Sequence, residues 1–151
     1  MKTVKDVFPN LNRYNHTKES ESSSQYNCIA WAFKDSSRTW WPDEDGDAYW
    51  PDDVPAAETQ EAFVTLVKKY GYEKCDNSEL QEGYEKLALY CNNRIPTHIA
   101  RQKLNGKWTS KLGWDIDIEH TLNAIEGPCY GNVTIVFRRR FGRKKKHRSR
   151  K

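Results

Sequence analysis

The chain has 151 residues, a mean hydropathy of −0.98, 6 Trp and 8 Tyr, which fits one domain with a hydrophobic core and excludes a disordered composition. No apolar run reaches the length of a membrane span and no signal-peptide pattern opens the chain, so we predict a cytoplasmic location. The four cysteines are not spaced as in a zinc site, and a disulfide framework is not expected in a cytosolic chain of this size. We predict no metal and no cofactor.

The net charge of +4 combines two opposite parts of the chain. Residues 138–151 contain ten Arg or Lys and no acid, whereas residues 1–137 contain 15 basic and 21 acidic residues. We therefore predict a single domain over 1–137, with a loose lead-in at 1–24, and a basic, disordered tail over 138–151. Such a tail predicts weak, non-specific contact with nucleic acid or an anionic surface.

The first predicted element is a buried helix that begins near Cys28. Residues 29–33 are apolar without a charge, and short polar side chains such as Gln25 and Asn27 precede them. Backbone N–H groups at a helix N-terminus stabilise a thiolate, so this spacing makes Cys28 a candidate nucleophile. The alternative is an inert, packed cysteine, which is the commoner case.

A long loop without periodicity follows at residues 34–55. This Trp-rich loop contains four large aromatic residues among seven acids and three prolines; the aromatic residues are Trp40, Trp41, Tyr49 and Trp50. Its Asp43-x-Asp45-Gly46 run lacks the Gly and Glu positions of an EF-hand loop. We expect the Trp side chains to pack on the body of the domain, with a ligand-binding lid as the alternative.

The remaining elements give an α+β order. Helical spacing over residues 62–70, ended by Gly71, predicts an amphipathic helix. Strands are predicted at 84–90, 97–104, 107–112 and 132–137, with a short helix at 115–125.

The Asn105-Gly106 pair predicts a hairpin between two of these strands, in one of two registers. A two-residue turn pairs Leu104 with Lys107. A three-residue loop, with Gly106 in the left-handed region, pairs Lys103 with Lys107 and turns Ser110 toward the side of His98.

A cysteine nucleophile needs an imidazole as its base. His98 begins a predicted strand in the middle of the sheet, where it would be held beside Cys28. His120 is the second choice, and the alternative for either histidine is a structural role.

Four segments carry a resemblance to known proteins: residues 26–32 (YNCIAWA), 96–102 (PTHIARQ), 108–113 (WTSKLG) and 118–120 (IEH). They resemble a family of uncharacterised bacterial proteins with a domain of unknown function. More distantly, the plan is similar to papain-like cysteine hydrolases of the NlpC type.

The papain-like resemblance implies a fold in which a central Cys-bearing helix packs on a small antiparallel sheet. It implies Cys28 as nucleophile, His98 as general base and Ser110 as the orienting residue. Other candidates for the third residue are Asp115, Glu119 and His120. The Cys28 backbone N–H, supported by Gln25 or Asn27, is the candidate oxyanion site.

Two hypotheses of function follow. The first is a cysteine hydrolase or transferase that acts on an amide or ester bond, with a peptide or amide as substrate. The second is a non-catalytic interaction module that binds a protein or an anionic partner through the Trp-rich loop or the basic tail.

Overall fold

The computed structural model describes residues 8–11, 16–20, 27–35, 37–43, 45–111 and 117–141, with the backbone alone at 16–20 and 117. Its helices are α1 (Cys28–Ala32), α2 (Gln60–Lys69) and a 3-10 helix at Leu122–Ile125. Its strands are β1 (His16–Ser20), β2 (Glu73–Cys75), β3 (Tyr84–Asn92), β4 (Ile95–Gln102), β5 (Trp108–Lys111), β6 (Asp117–His120) and β7 (Asn132–Arg140).

One antiparallel sheet organises the domain. Its order is β1-β6-β5-β4-β3-β7-β2, and every neighbouring pair runs antiparallel. The predicted papain-like arrangement is therefore wrong, because the molecule is β-rich and α1 has only five residues. This helix stops early because Phe33 leaves the helical conformation and Lys34 takes a left-handed backbone with φ 63°.

The predicted amphipathic helix and all four predicted strands form. Ala62, Phe63, Leu66 and Val67 are buried on α2, as their spacing predicts. The last strand is longer than predicted and continues through Arg138 to Arg140, while residues 142–151 of the predicted tail lie outside the described residues.

The predicted helix at 115–125 is wrong. Residues 117–120 form β6, which pairs with both β5 and β1, and only residues 122–125 turn into a short 3-10 helix. Strand β5 has an edge whose backbone groups need partners, and pairing with β6 satisfies them. Residues 112–116 lie outside the described part of the chain.

Each face of the sheet carries its own hydrophobic core. Helices α1 and α2 and the Trp-rich loop cover one face, which we call the helix face; its core includes Cys28, Phe63, Leu89 and Ile99. The 3-10 helix and the segment around Phe8 cover the opposite face, whose core includes Tyr90, Ala100, Trp108 and Tyr130. We call this second face the histidine face, because His98 stacks there on Tyr130.

No helix in the described ranges is long and apolar enough to cross a membrane, since α2, the longest, has 10 residues.

Gly131 allows the turn before β7 to pass close to β3. Its φ is +76°, and a Cβ at this position would overlap the backbone carbonyl of Cys91. Gly46 has almost the same φ, +77°, but nothing lies within 4 Å of its ideal Cβ position.

We expect Gly131→Ala to lower the free energy of unfolding by more than about 2 kcal/mol. The alanine would be strained at a positive φ, and the backbone of β3 would also have to move away from the new Cβ. The matched variant Gly46→Ala should lose only about 1 kcal/mol, the cost of the left-handed conformation. Urea unfolding of both variants measures the difference. Equal losses in the two variants would contradict the close approach of Gly131 to β3.

Candidate functional site

Cys28 opens α1 and packs against β4. Asn27 caps the helix by accepting the Ala30 N–H at 3.2 Å, and the Cys28 side chain lies in the core of the helix face, 7% exposed. The predicted position of Cys28 in the first helical turn is confirmed.

The environment of the Cys28 sulfur favours the neutral thiol. Burial raises the pKa of Cys28 to about 12, while backbone N–H groups of Ile99, Ile29 and Cys28 and the charge of Lys111 lower it by less. The donors that a thiolate needs are thus present, but the loss of hydration outweighs them.

His98 lies on the other face of the sheet from Cys28. Successive residues of a strand point to opposite faces, and Ile99 belongs to the core that contains Cys28. His98 pairs with Tyr90 across β3 and β4, and its ring stacks on Tyr130 at a centroid distance of 4.1 Å. The sheet therefore separates the proposed nucleophile from its proposed base, and the Cys28–His98 pair has no geometric support in this arrangement.

The structure instead joins His98 with Ser110 and His120. His98 Nε2 lies 2.8 Å from Ser110 Oγ, and His120 Nε2 lies 2.7 Å from the same oxygen. All three side chains are buried, at most 1% exposed. Two of the residues predicted for the site and one alternative third residue thus form one hydrogen-bonded cluster, which we call the His–Ser–His cluster.

The hydrogen-bond partners determine which atoms of the neutral cluster carry the protons. A carbonyl only accepts, so His120 Nδ1–H donates to the Thr121 oxygen at 2.6 Å, and His120 Nε2 then accepts the Ser110 O–H. The single hydroxyl proton is used, so His98 Nε2–H donates to Ser110 Oγ. His98 Nδ1 is left as a buried nitrogen with no hydrogen-bond partner.

The environment of the cluster favours the neutral form of His98. Burial lowers the pKa of His98 well below its ordinary value, and His120 lowers it further. Tyr90 packs edge-on against the His98 ring and anchors its own hydroxyl to the Leu122 carbonyl at 2.7 Å. Ser110 itself is buried, with 0% of its surface exposed.

The register of the β4–β5 hairpin places Ser110 in this cluster. Lys103 N–H donates to the Lys107 carbonyl at 2.7 Å, and Gly106 has φ +89°, so the three-residue loop is confirmed. The sequence left two registers open, and the one that forms turns Ser110 toward the side of His98.

The supporting residues occupy other places. Asn27 binds the Trp-rich loop, since it accepts the Trp40 N–H at 3.0 Å and donates to the Trp40 carbonyl at 2.8 Å. Glu119 pairs with Lys103 at 3.0 Å. Gln25 and Asp115 lie outside the described residues.

A cavity of about 220 Å³ opens on the helix face, between the end of α1, the Trp-rich loop and the start of β2. Five aromatic and three basic side chains line it: Phe33, Trp40, Tyr49, Tyr70, Tyr72, Lys34, Arg38 and Arg139. We call it the aromatic pocket.

The walls of the aromatic pocket are held in place by stacking and by hydrogen bonds. Phe33 and Trp40 stack at 5.0 Å with an interplanar angle of 10°, and Tyr49 packs edge-on against Trp40 at 4.8 Å. Asp35 accepts the Trp40 indole N–H at 2.7 Å and binds Arg38 at 3.1 Å. Although burial raises it, hydrogen bonds from Ser37, Trp40 and Arg38 hold the pKa of Asp35 well below its ordinary value, so the anchor stays charged at neutral pH.

The charges of the pocket are distributed between its base and its rim. At the base, Arg139 binds Glu85 at 2.9 Å and the Tyr70 carbonyl at 2.7 Å. At the rim, the Lys34 and Arg38 side chains are 45% and 52% exposed. Three basic side chains face two carboxylates, Asp35 and Glu85, which leaves one positive charge in excess.

Sequence reasoning identified the Trp-rich loop but missed most of the pocket. Tyr70, Tyr72 and Arg139 are distant in sequence, and only the packing of α2 and β7 brings them to the loop. The presence of two aromatic and two basic residues within 33–40 was the one available signal.

These features define a β-rich domain with one antiparallel sheet, two separate cores and an aromatic pocket. The chain belongs to the DUF7689 family, a domain of unknown function, whose family model matches residues 17–138. No curated protein and no solved structure matches the chain.

We expect Cys28 to react with iodoacetamide far more slowly than Cys75 near neutral pH. Burial raises the pKa of Cys28 from 9.0 to about 12, which lowers its thiolate fraction about a thousandfold, and burial also blocks the reagent. Peptide mapping by mass spectrometry after timed alkylation measures both rates, with urea-unfolded protein as the control in which the rates converge. Faster labelling of Cys28 would restore it as a nucleophile.

Acid should destabilise the domain through His98. The pKa of His98 is lower in the folded state than in the unfolded state. The contribution of the neutral His98 ring to stability is therefore complete above about pH 6.5 and is lost as the pH falls below that value. The expected slope from this group is up to about 1.4 kcal/mol per pH unit. His98→Gln cannot titrate, so urea unfolding between pH 7.5 and 5 should show a shallower slope in the variant; equal slopes would argue against a buried, neutral His98.

Proposed function

We propose that this chain is a non-catalytic binding module, whose aromatic pocket takes a small planar ligand with one negative charge. The observation that carries the proposal is the combination of five aromatic side chains with an excess of one positive charge around a single cavity. Small-molecule sites are typically apolar concavities with a few polar groups that fix the orientation of the ligand.

The walls suit a flat ring. Phe33 and Trp40 stack on each other at 5.0 Å and Tyr49 packs against Trp40, so they form a rigid aromatic wall against whose open side a planar group would pack. Because Asp35 and Asn27 already hold Trp40, little side-chain freedom is lost when a ligand enters.

The rim suits a carboxylate. Arg38 lies with its guanidinium carbon 3.6 Å from the Tyr49 ring centroid, which fixes the plane of its donors at the mouth of the pocket. Lys34 binds Glu85 through one of its three donors at 3.0 Å. The two side chains favour a monoanion over a neutral or cationic ring.

The test is a calorimetric titration with indole-3-acetate, with indole and tryptamine as the neutral and cationic analogues. We expect indole-3-acetate to bind most tightly, and Arg38→Gln to weaken it about fivefold, the scale of a partly exposed charge pair. Lys68→Gln, an exposed change on α2 away from the pocket, is the matched control and should bind like the wild type.

Equal binding of indole-3-acetate and tryptamine would contradict a pocket selective for anions. Equal loss of affinity in the Lys68→Gln control would show that the effect of Arg38 is one of net charge alone.

The second candidate is the hydrolase or transferase with Cys28 as nucleophile. The N–H groups of Ile99, Ile29 and Cys28 and the charge of Lys111 favour it, because they stabilise negative charge at the sulfur. It requires a base on the helix face and an opening to the sulfur, and the alkylation rates of Cys28 and Cys75 decide between the two candidates.

A further inference from the structure

One end of the sheet carries three exposed apolar side chains. Leu104 is 78% exposed at the tip of the β4–β5 hairpin, Leu80 is 51% exposed in the loop before β3, and Phe141 is 48% exposed directly after β7. Among the described residues the other large exposed apolar side chain is Ile95, which is 46% exposed at the opposite end of β4. We call the first three the apolar end.

Backbone contacts bring these residues together. Phe141 N–H donates to the Gly83 carbonyl at 2.9 Å, which ties the end of β7 to the turn before β3. Leu80 lies 3.6 Å from the ideal Cβ position of Gly106 in the hairpin loop. Leu104 and Phe141 line the same open groove, of about 500 Å³.

Positive charge surrounds the apolar end. Lys103 and Lys107 flank the hairpin loop, and Arg140 precedes Phe141. The chain continues from there with the basic residues of 143–151, so residues 140–151 carry eight positive charges and no acid. The acids nearby are fewer: Asp76, Glu79 and Glu82 in the adjoining loop, Glu119, which pairs with Lys103, and Glu85, which lines the groove.

We propose that the apolar end docks on an anionic lipid bilayer. Exposed Leu and Phe side chains lose contact with water by entering the acyl boundary, while Lys and Arg contact the anionic headgroups. A single basic tail binds a bilayer weakly, and the second, apolar signal makes the attachment stable. Nucleic acid offers phosphates to the same charges, but its grooves give Leu80 and Leu104 no hydrocarbon to enter, so the apolar side chains favour lipid.

The test is co-sedimentation with phosphatidylcholine vesicles that contain phosphatidylglycerol, against vesicles of pure phosphatidylcholine. We expect the full chain to bind the anionic vesicles and to be released as salt is raised. The double variant Leu104→Ser/Phe141→Ser should bind at least about tenfold more weakly at the same salt, because it keeps every charge and loses most of the apolar area.

Ile95→Ser is the matched control, since it removes a similarly exposed apolar side chain from the far end of the sheet, and it should bind like the wild type. Thermal melting of both variants checks that they remain folded. Equal binding by the double variant and the wild type would overturn the proposal and leave an interaction of the tail alone. Binding to duplex DNA without binding to anionic vesicles would overturn it in favour of nucleic acid.

Discussion

Strand β4 carries His98 and Ile99 as neighbours, and the pleat of the strand sends their side chains to opposite faces of the sheet. The separate environments of Cys28 and His98 depend on this alternation. Ile99 lies in the core beneath α1, where its N–H points to the Cys28 sulfur, whereas His98 faces Tyr130 and Ser110. Because the sheet has seven strands and both its faces are covered, no small movement of side chains exchanges these environments.

The two faces have different roles as a result. On the histidine face, the His–Ser–His cluster satisfies the hydrogen bonds of buried polar groups and links β4, β5 and β6. Such networks specify one arrangement of a core when nearly all of their members are paired. On the helix face, Asp35 and Asn27 fix the Trp-rich loop, and the cavity that remains is open to solvent at Lys34 and Arg38. The aromatic pocket is thus open to solvent where the His–Ser–His cluster is buried, and this contrast is why we propose a binding role.

Local patterns gave the correct structure where one short segment was sufficient. Apolar spacing placed α2, and Asn105-Gly106 limited the β4–β5 hairpin to two registers, one of which brings Ser110 to His98. The spacing of Ile118, Leu122 and Ile125 fits a helix, and it misled because residues 117–120 pair with β5 and with the distant β1. The papain-like fold, which came from the resemblance, was wrong because the helix after Cys28 ends at Ala32 and a seven-stranded sheet forms the domain.

The site was harder to predict than the strands. Strand alternation shows from sequence alone that His98 and Ile99 face opposite ways, but not which of the two faces α1 covers. That choice is made by the packing of Cys28 against Ile99 and of Tyr130 against His98, residues far apart in the chain. The aromatic pocket likewise combines the Trp-rich loop with Arg139 from the last strand.

The separation of Cys28 from His98 by the sheet is tested most directly by a nuclear Overhauser spectrum of isotope-labelled protein. The account predicts cross-peaks between the His98 ring protons and the Tyr130 ring, whose centroids lie 4.1 Å apart, and none between His98 and the Cys28 β-protons. Cross-peaks from the His98 ring to the Cys28 β-protons would contradict it, because both groups would then share one face.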